Sequence, residues 1–400
     1  MKASDNLRVC IVHDWIATYT GAEKVVEQLL TMYPEADLFT VVDVLDEKKR
    51  TFLKGRAVKT SFIQNLPFVR KKYRSYLPLM PLAVEGFDLS EYDLIISSSS
   101  AVAKGVITGP EQVHICYCHS PVRYAWDLQH QYLRQAGLTK GLKRMYARAL
   151  LHYIRLWDVR TANGVDHFVA NSAYISRRIY KTYHRQADVV YPPVDIHSFT
   201  PGPSTREDFY LVVSRFVPYK RVPLIVEAFK HMPDLRLCVV GDGPDFEKCR
   251  QAASPNVTLL GYQSDKRVVD LLQKAKAFVF AAEEDFGIVV VEAQACGTPV
   301  ICYGKGGTTE TVIPDETGMV FQEQTPQSII EAVRRFESRK DGFSPAVIRE
   351  NAERFSPEIF RDEFSRIVAR SLEDSSLHRK AQSNSSSVLS WKGNSARQRM

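Results

Sequence analysis

Twelve short apolar runs are strung along this chain, and most are continuous rather than alternating. In the first half they are Arg8–Val12, Leu38–Val42, Leu94–Ser97, Val113–Tyr117, His167–Ala170 and Val189–Tyr191. In the second half they are Tyr210–Val213, Leu235–Val240, Val257–Leu260, Ala277–Phe280, Pro299–Tyr303 and Met319–Phe321. A strand buried on one face alternates apolar with polar residues, because successive side chains point to opposite sides. A strand apolar at every position is covered on both faces, as in a parallel sheet between helical layers. The intervening segments carry helix signals: Gly21–Met32, Pro223–Lys230, Asp265–Lys274, Gly287–Ala295 and Pro326–Arg339. This alternation, heard twice, predicts an α/β fold of two Rossmann-like domains.

The seam falls at Tyr191–Pro203 (YPPVDIHSFTPGP), where four prolines and no helical period mark a linker. Residues 1–190 are expected to form the first domain and 191–356 the second, followed by a last helix over 357–374. The stretch 375–400 is rich in Ser, Gln, Asn and Arg, has little to bury, and is expected to be disordered. Ligands of open α/β sheets sit outside the carboxyl ends of the strands, so two such domains suggest a ligand in a cleft between them.

Composition narrows the function. At 400 residues, 44% hydrophobic and 25% charged, the chain reads as ordinary globular protein. Its net charge of +7 suits an anionic small ligand, an anionic membrane surface or RNA. No apolar run approaches the roughly 20 residues that span a bilayer. The opening MKASDNLRVCIVHDW does not read as a signal peptide. Seven cysteines, none in a CxxC pair, read as reduced thiols of a cytosolic protein. Cys116, Cys118 and His119 alternate along one strand and cannot converge on one metal ion without a ligand from elsewhere.

The polar motifs follow strands. In EEDFGIVVVEAQACGTPVI, Glu284 lies in the loop after Ala277–Phe280, and Glu292 lies more than a turn into the next helix. The helix start at Phe286, Gly287 and Ile288 offers unpaired backbone N–H groups and a positive dipole end to an anion. Glu292, flanked by Val289, Val290, Val291 and Ala293, is placed to accept hydrogen bonds from a ribose diol, and Glu284 from a second polyol. In Ser214–Arg221 (SRFVPYKR), Arg215 and Lys220 are two cations at a strand end, suited to a diphosphate and to a leaving group's charge. The alternative is an exposed basic loop.

In the first half, Tyr117–Asp127 (YCHSPVRYAWD) sets His119 and Arg123 near a sugar hydroxyl, a phosphate or an acceptor; His119 as a structural histidine is the alternative. In His13–Glu23 (HDWIATYTGAE), Gly21 opens a helix toward an anion and Asp14 is a candidate acceptor-binding carboxylate. The turn VGDGP at 240–244 needs its glycines for the turn itself. The spacing GxGxxG is missing from the first turn, which leaves nicotinamide binding unsupported, and no Asp-x-Asp occurs, which argues against a metal held by such a pair.

Together these segments resemble the retaining family 4 group of GT-B glycosyltransferases. Glu284, seven residues and Glu292, with Phe-Gly after the first and EAQACGTPVI from the second, resemble that group's EX7E motif; SRFVPYKR resembles its diphosphate clamp. HDW…GAEKV and YCHSPVRYAWD look most like bacterial mannosyltransferases of surface-polysaccharide assembly. The resemblance covers about residues 7–372. It implies a GT-B fold whose two parallel sheets face a central cleft, acceptor first and nucleotide-sugar second, with the last helix crossing back to the first domain. It further implies that Arg215 and Lys220 hold the β-phosphate, Glu292 the ribose, and Glu284 the donor sugar. Phe286, Gly287, Ile288 and Val289 would line sugar and phosphate, His119 would touch the transferred sugar, and Gly21 would lie near the phosphate. Thr20 stands where the family often has glycine.

The expected activity is retaining transfer of a hexose, mannose from GDP-mannose, to a lipid-linked or saccharide acceptor, without cofactor or metal. Val69–Tyr76 and Leu138–Trp157 mix Lys and Arg with aromatic and aliphatic residues, as surfaces that dock on anionic headgroups do. A cytoplasmic protein, peripheral on the inner face of the cytoplasmic membrane and without nucleic-acid partners, is the corresponding expectation. The alternatives are a UDP-sugar transferase of the same fold, a sugar-nucleotide epimerase, a non-catalytic two-domain sugar-binding protein, and an RNA-binding protein suggested by charge alone.

Overall fold

The computed structural model describes residues 7–138, 140–202 and 205–376. Among these the chain divides into two compact units. The first comprises residues up to Val169, Ile179–Asp188 and the chain from Arg361 on; the second comprises Ala170–Arg178 and Val189–Phe360.

Seven strands build the first sheet: β1 (Val9–His13), β2 (Asp37–Thr40), β3 (Val58–Thr60), β4 (Leu94–Ser99), β5 (Val113–Cys118), β6 (His167–Ala170) and β7 (Ala187–Val189). Their order is β3-β2-β1-β4-β5-β6-β7. Six build the second: β8 (Tyr210–Val213), β9 (Leu237–Val240), β10 (Val257–Gly261), β11 (Ala277–Phe280), β12 (Val300–Tyr303) and β13 (Gly318–Phe321). Their order is β10-β9-β8-β11-β12-β13. The pairings among β1–β5 and among β8–β13 are parallel. All twelve sequence runs lie on strands, to within two residues at the ends. The thirteenth strand, β3, is three residues of VKT with no buried position, too short and polar to show in the sequence.

The reason for continuous apolar runs is visible in β8 and β11. Tyr210, Val212, Ala277 and Val279 pack into one cluster with Phe229 and Ile301; Leu211, Phe278 and Phe280 pack into another with Val290 and Phe355. Helices cover both faces, so every position of β11 and all but Val213 in β8 are buried.

In each sheet the order reverses next to the first strand, between β1 and β4 and between β8 and β11. At such switch points adjacent loops run to opposite faces and leave a crevice at the strand ends.

Two boundaries differ from expectation. The proline-rich 191–202 is not a free linker: Val194, Ile196 and Phe199 are buried, and the Val194 N–H donates to the Phe355 carbonyl at 2.9 Å. Three apolar side chains within six residues give it more to bury than its prolines suggest; Pro203 lies outside the described residues. The last helix spans 357–376 and so includes Ser375 and Ser376; the rest of the expected tail, 377–400, lies outside the described residues.

Candidate functional site

The second unit gathers its charged motif at the β8/β11 crevice. Leaving β8, the chain makes a loop at Ser214–Val217 and a short turn at Pro218–Lys220. The loop is braced from below by the 240–244 turn. The Phe216 N–H donates to the Asp242 carbonyl (2.8 Å), and the Asp245 N–H donates to the Phe216 carbonyl (2.9 Å). Gly241 has φ +131°, and a Cβ there would stand 1.8 Å from the Ser214 carbonyl oxygen; glycine lets the two loops touch. Phe216 is buried and stacks on Phe246, while Arg215 is exposed and has no ion-pair partner among the described residues. Lys220 reaches the next loop: its Nζ lies 2.5 Å from Glu284 Oε1 and 5.4 Å from the Phe280 ring centre.

Glu284 is held from the other side as well. Its carbonyl accepts the Gly307 N–H at 2.7 Å. Gly287 (φ +89°) then starts the helix Ile288–Ala295 in a left-handed conformation that glycine adopts without strain. The back of this helix is fixed: Gln294 donates to the Thr311 carbonyl (2.8 Å), and Asn351 donates to Gln294 Oε1 (2.7 Å). Ile288, Val289 and Glu292 are half-buried on its other side. Phe286 is a different case. Its ring is 3% exposed and packs between Tyr191 and Phe355. Its side chain is therefore core, and only its backbone is left to line a ligand.

A second arrangement forms in the first unit at the β1/β4/β5 ends. The helix Gly21–Met32 is capped by Thr20, whose N–H and Oγ1 both donate to Glu23 Oε2 (2.9 and 2.8 Å). Glu23 Oε1 lies 3.9 Å from His13 Nε2. His13 Nδ1 contacts the Ser98 carbonyl (3.1 Å) and Ser98 Oγ (3.2 Å), and Ser98 Oγ lies 2.8 Å from His119 Nε2. Burial pulls the His13 pKa down, but Glu23 and Asp14 outweigh it and leave it raised. Burial would raise Glu23, yet His13 and Thr20 hold it below its ordinary value. For His119, burial and then the positive His13 lower the pKa to about 4, so its ring is neutral at pH 7.

Two family models match the chain in succession: "Glycosyltransferase Family 4" over residues 19–198 and "Glycosyl transferases group 1" over 194–355. Between them the two models take in residues 19–355, and along that length the chain is similar to the GT-B glycosyltransferases of the group 1, family 4 type. Among curated relatives, it is 31% identical over 209 residues to a D-inositol 3-phosphate glycosyltransferase of Mycobacteroides abscessus, covering 47% of each chain. It is 26% identical over 339 residues to the alpha-1,3/1,6-mannosyltransferase ALG2 of Mus musculus, covering 74% of this chain and 78% of that one. The chain spans about half the length of the first curated relatives it matches, 47%, 54% and 44%. In fold it is similar to Anabaena HepE, a structure solved in complex with UDP: TM-score 0.67, 18% identity, 91% of this chain and all of that one.

Against this GT-B frame one candidate is corrected. Asp14 is not placed to meet an acceptor: it is 1% exposed, and its carboxylate accepts five hydrogen bonds. Oδ2 takes the Ser100 N–H and Oγ and the Ala101 N–H (2.6, 2.8 and 2.9 Å); Oδ1 takes the Val102 and Ala103 N–H groups, both 2.7 Å. It ties the loop after β4 to the end of β1, and nothing is left over for a ligand. Gly21 stands at the capped helix start and Arg123 is half-buried in the turn after β5. Cys116 and Cys118 are buried, and among the described residues no cluster of three His, Cys, Asp or Glu side chains could hold a metal ion.

Sequence reasoning left His13, Ser98 and Glu23 without a role. Only the capping pattern Thr20-x-x-Glu23 was there to point at one of them. His13 and Ser98 are 85 residues apart and meet only through the β1–β4 pairing. Among the described residues no helix is long and apolar enough to cross a membrane.

Proposed function

We propose that the protein is a metal-independent retaining glycosyltransferase that moves a hexose, mannose from GDP-mannose, to a lipid-linked acceptor in polysaccharide assembly. The observation that carries this reading is the Lys220–Glu284 ion pair, which joins the loop after β8, where Arg215 also lies, to the loop after β11 that leads into the Gly287 helix start. A nucleotide-sugar presents a ribose, a diphosphate and a sugar in a row, and Glu292, the two cations and Glu284 offer one group to each. Cations fixed where the diphosphate gathers charge do the work a metal ion does elsewhere. Positioning and exclusion of water supply the rest, and no protein nucleophile is assigned. The first unit supplies the acceptor side, and its His119, neutral, is suited to a hydrogen bond to the transferred sugar rather than to ion pairing.

Mannose is favoured because the mannosyltransferase of Mus musculus aligns over three quarters of this chain. The lipid acceptor rests on the helix Gly141–Thr161, where Leu142, Met145, Tyr146, Tyr153 and Leu156 form one exposed stripe. Lys143, Arg144 and Arg148 flank it, and no acid precedes Asp158. An exposed apolar stripe flanked by cations suits an anionic headgroup layer, which favours a location on the inner face of the cytoplasmic membrane. Arg70, Lys71, Lys72 and Arg74 add exposed charge in the same unit; Thr139, within the basic stretch flagged above, lies outside the described residues.

The test is a thermal-shift and calorimetric comparison of GDP-mannose, GDP, UDP-glucose, UDP-GlcNAc and UDP, with and without EDTA. Stabilisation by GDP and GDP-mannose, unchanged by EDTA, is the expected result. A preference for the UDP compounds would keep the reaction class and replace the donor, and a response to none would remove the enzyme reading.

A further inference from the structure

We propose that His13 and Ser98 are positioning residues that lock His119 in a single neutral tautomer, with its proton on Nδ1. The inference deepens the reading of His119 as a donor-sugar contact and rests on it for its functional consequence only. Its argument is geometric. His13 Nδ1 lies 3.1 Å from the Ser98 carbonyl oxygen, which has no hydrogen to give. Nδ1 must therefore carry one and donate, whatever the charge of the ring. The same N–H faces Ser98 Oγ at 3.2 Å, so the hydroxyl accepts on that side. A hydroxyl can accept twice, but Ser98 is fully buried and its own hydrogen needs an acceptor; among the described residues the side-chain neighbour left to take it is His119 Nε2, at 2.8 Å. A ring nitrogen that accepts is bare, and the ring's one remaining proton sits on Nδ1.

The first link is held in place by Glu23, whose Oε1 faces His13 Nε2 and whose Oε2 takes both donors of Thr20. The capped helix start thus faces His13 through the Glu23 carboxylate at 3.9 Å, and hydrogen bonds run on from His13 through Ser98 to His119. The Thr20 hydroxyl is one of the groups that fixes Glu23. The chemical consequence is that His119 carries an N–H at Nδ1 and a filled acceptor at Nε2. It does not act as a base through Nε2, because that lone pair is already used.

Selective ¹⁵N-histidine labelling of the whole chain, with two-bond ¹H–¹⁵N correlation spectra, reads this directly; His119→Gln assigns the signal. The expected wild-type result is one neutral His119 species, Nδ1 protonated and Nε2 bare, unchanged from pH 6 to 8. Ser98→Ala should convert it to a mixture containing the Nε2–H form. His13→Asn, whose amide can still donate to the Ser98 carbonyl, should preserve the single species. A wild-type His119 protonated on Nε2, or a Ser98→Ala spectrum identical to wild type, would overturn the proposal. In a transfer assay Ser98→Ala should lower kcat about tenfold with little change in donor KM, the signature of a misplaced group rather than lost binding. Since the spectra need no substrate, a protein that transfers no sugar yet shows the locked tautomer would sink the functional reading and leave the positioning role standing.

Discussion

Asp14 and Glu284 occupy equivalent places in the chain, each a carboxylate just past a strand that flanks a switch point. Their surroundings differ. Asp14 is buried and saturated by five donors from one loop; Glu284 is partly exposed and shares a single lysine. A carboxylate that closes a loop must spend all its lone pairs on that loop, whereas one that meets a ligand keeps some in reach of solvent. The difference separates a residue that builds the first unit's crevice from one whose carboxylate stays in reach of solvent in the second's, as the proposed donor contact requires.

Substitution at these two positions sharpens or breaks that contrast. The largest effect is expected for Asp14→Ala, which strands three buried backbone N–H groups and the half-buried N–H and hydroxyl of Ser100: a loss of about 3 kcal/mol or more by denaturant titration. A variant of unchanged stability would end the distinction. Glu284→Ala and Lys220→Ala should behave oppositely, with melting temperatures near wild type and transfer rates about 100-fold lower. Glu292→Ala should weaken donor binding about tenfold by calorimetry, as the loss of charge-assisted hydrogen bonds does. Normal donor affinity would remove it from the ribose. The smallest effect is on membranes: Leu142→Asp with Tyr146→Asp should reduce partitioning onto vesicles containing anionic lipid about fivefold, leaving donor binding alone.

Acidity probes the first unit by itself. His114 and His119 take up a proton near 6.5 when unfolded but only near about 4 when folded, because burial opposes their charge. Across that window the unfolded chain binds more protons, so stability rises as pH climbs from 4 to 6.5. Glu23, lowered, adds stability above its ordinary 4.5 that is lost as pH falls through its folded value. His13 has the opposite sign: its raised pKa stabilises below 6.5, and that contribution fades as pH rises through the folded value. Denaturation midpoints should therefore climb to near neutrality and flatten or fall beyond it. His119→Gln should shallow the acid limb.

Much of the fold was legible because burial on two faces leaves a mark that needs no partner: an apolar residue at every strand position. β3 escaped because an edge strand with exposed residues carries no such mark. The polar site was legible by place, since its loops follow strands, but less so by role. Asp14, Arg215 and Glu284 all stand just after strands in one dimension. Phe286 shared a motif with Gly287, yet its ring belongs to the aromatic cluster of Tyr191 and Phe355. The segment 191–202 had the prolines of a linker and the buried Val194, Ile196 and Phe199 of a core.

The sequence by itself determined two doubly wound sheets, the loops that carry charge, and the capped glycine helix starts, because periodicity and local backbone chemistry are properties of neighbours in the chain. Which carboxylate is sealed in and which stays in reach, and that His13, Ser98 and His119 form one series, was decided by tertiary structure. Those contacts join residues 21 to 89 positions apart, and hydrogen-bond saturation is a count over space that no stretch of sequence contains.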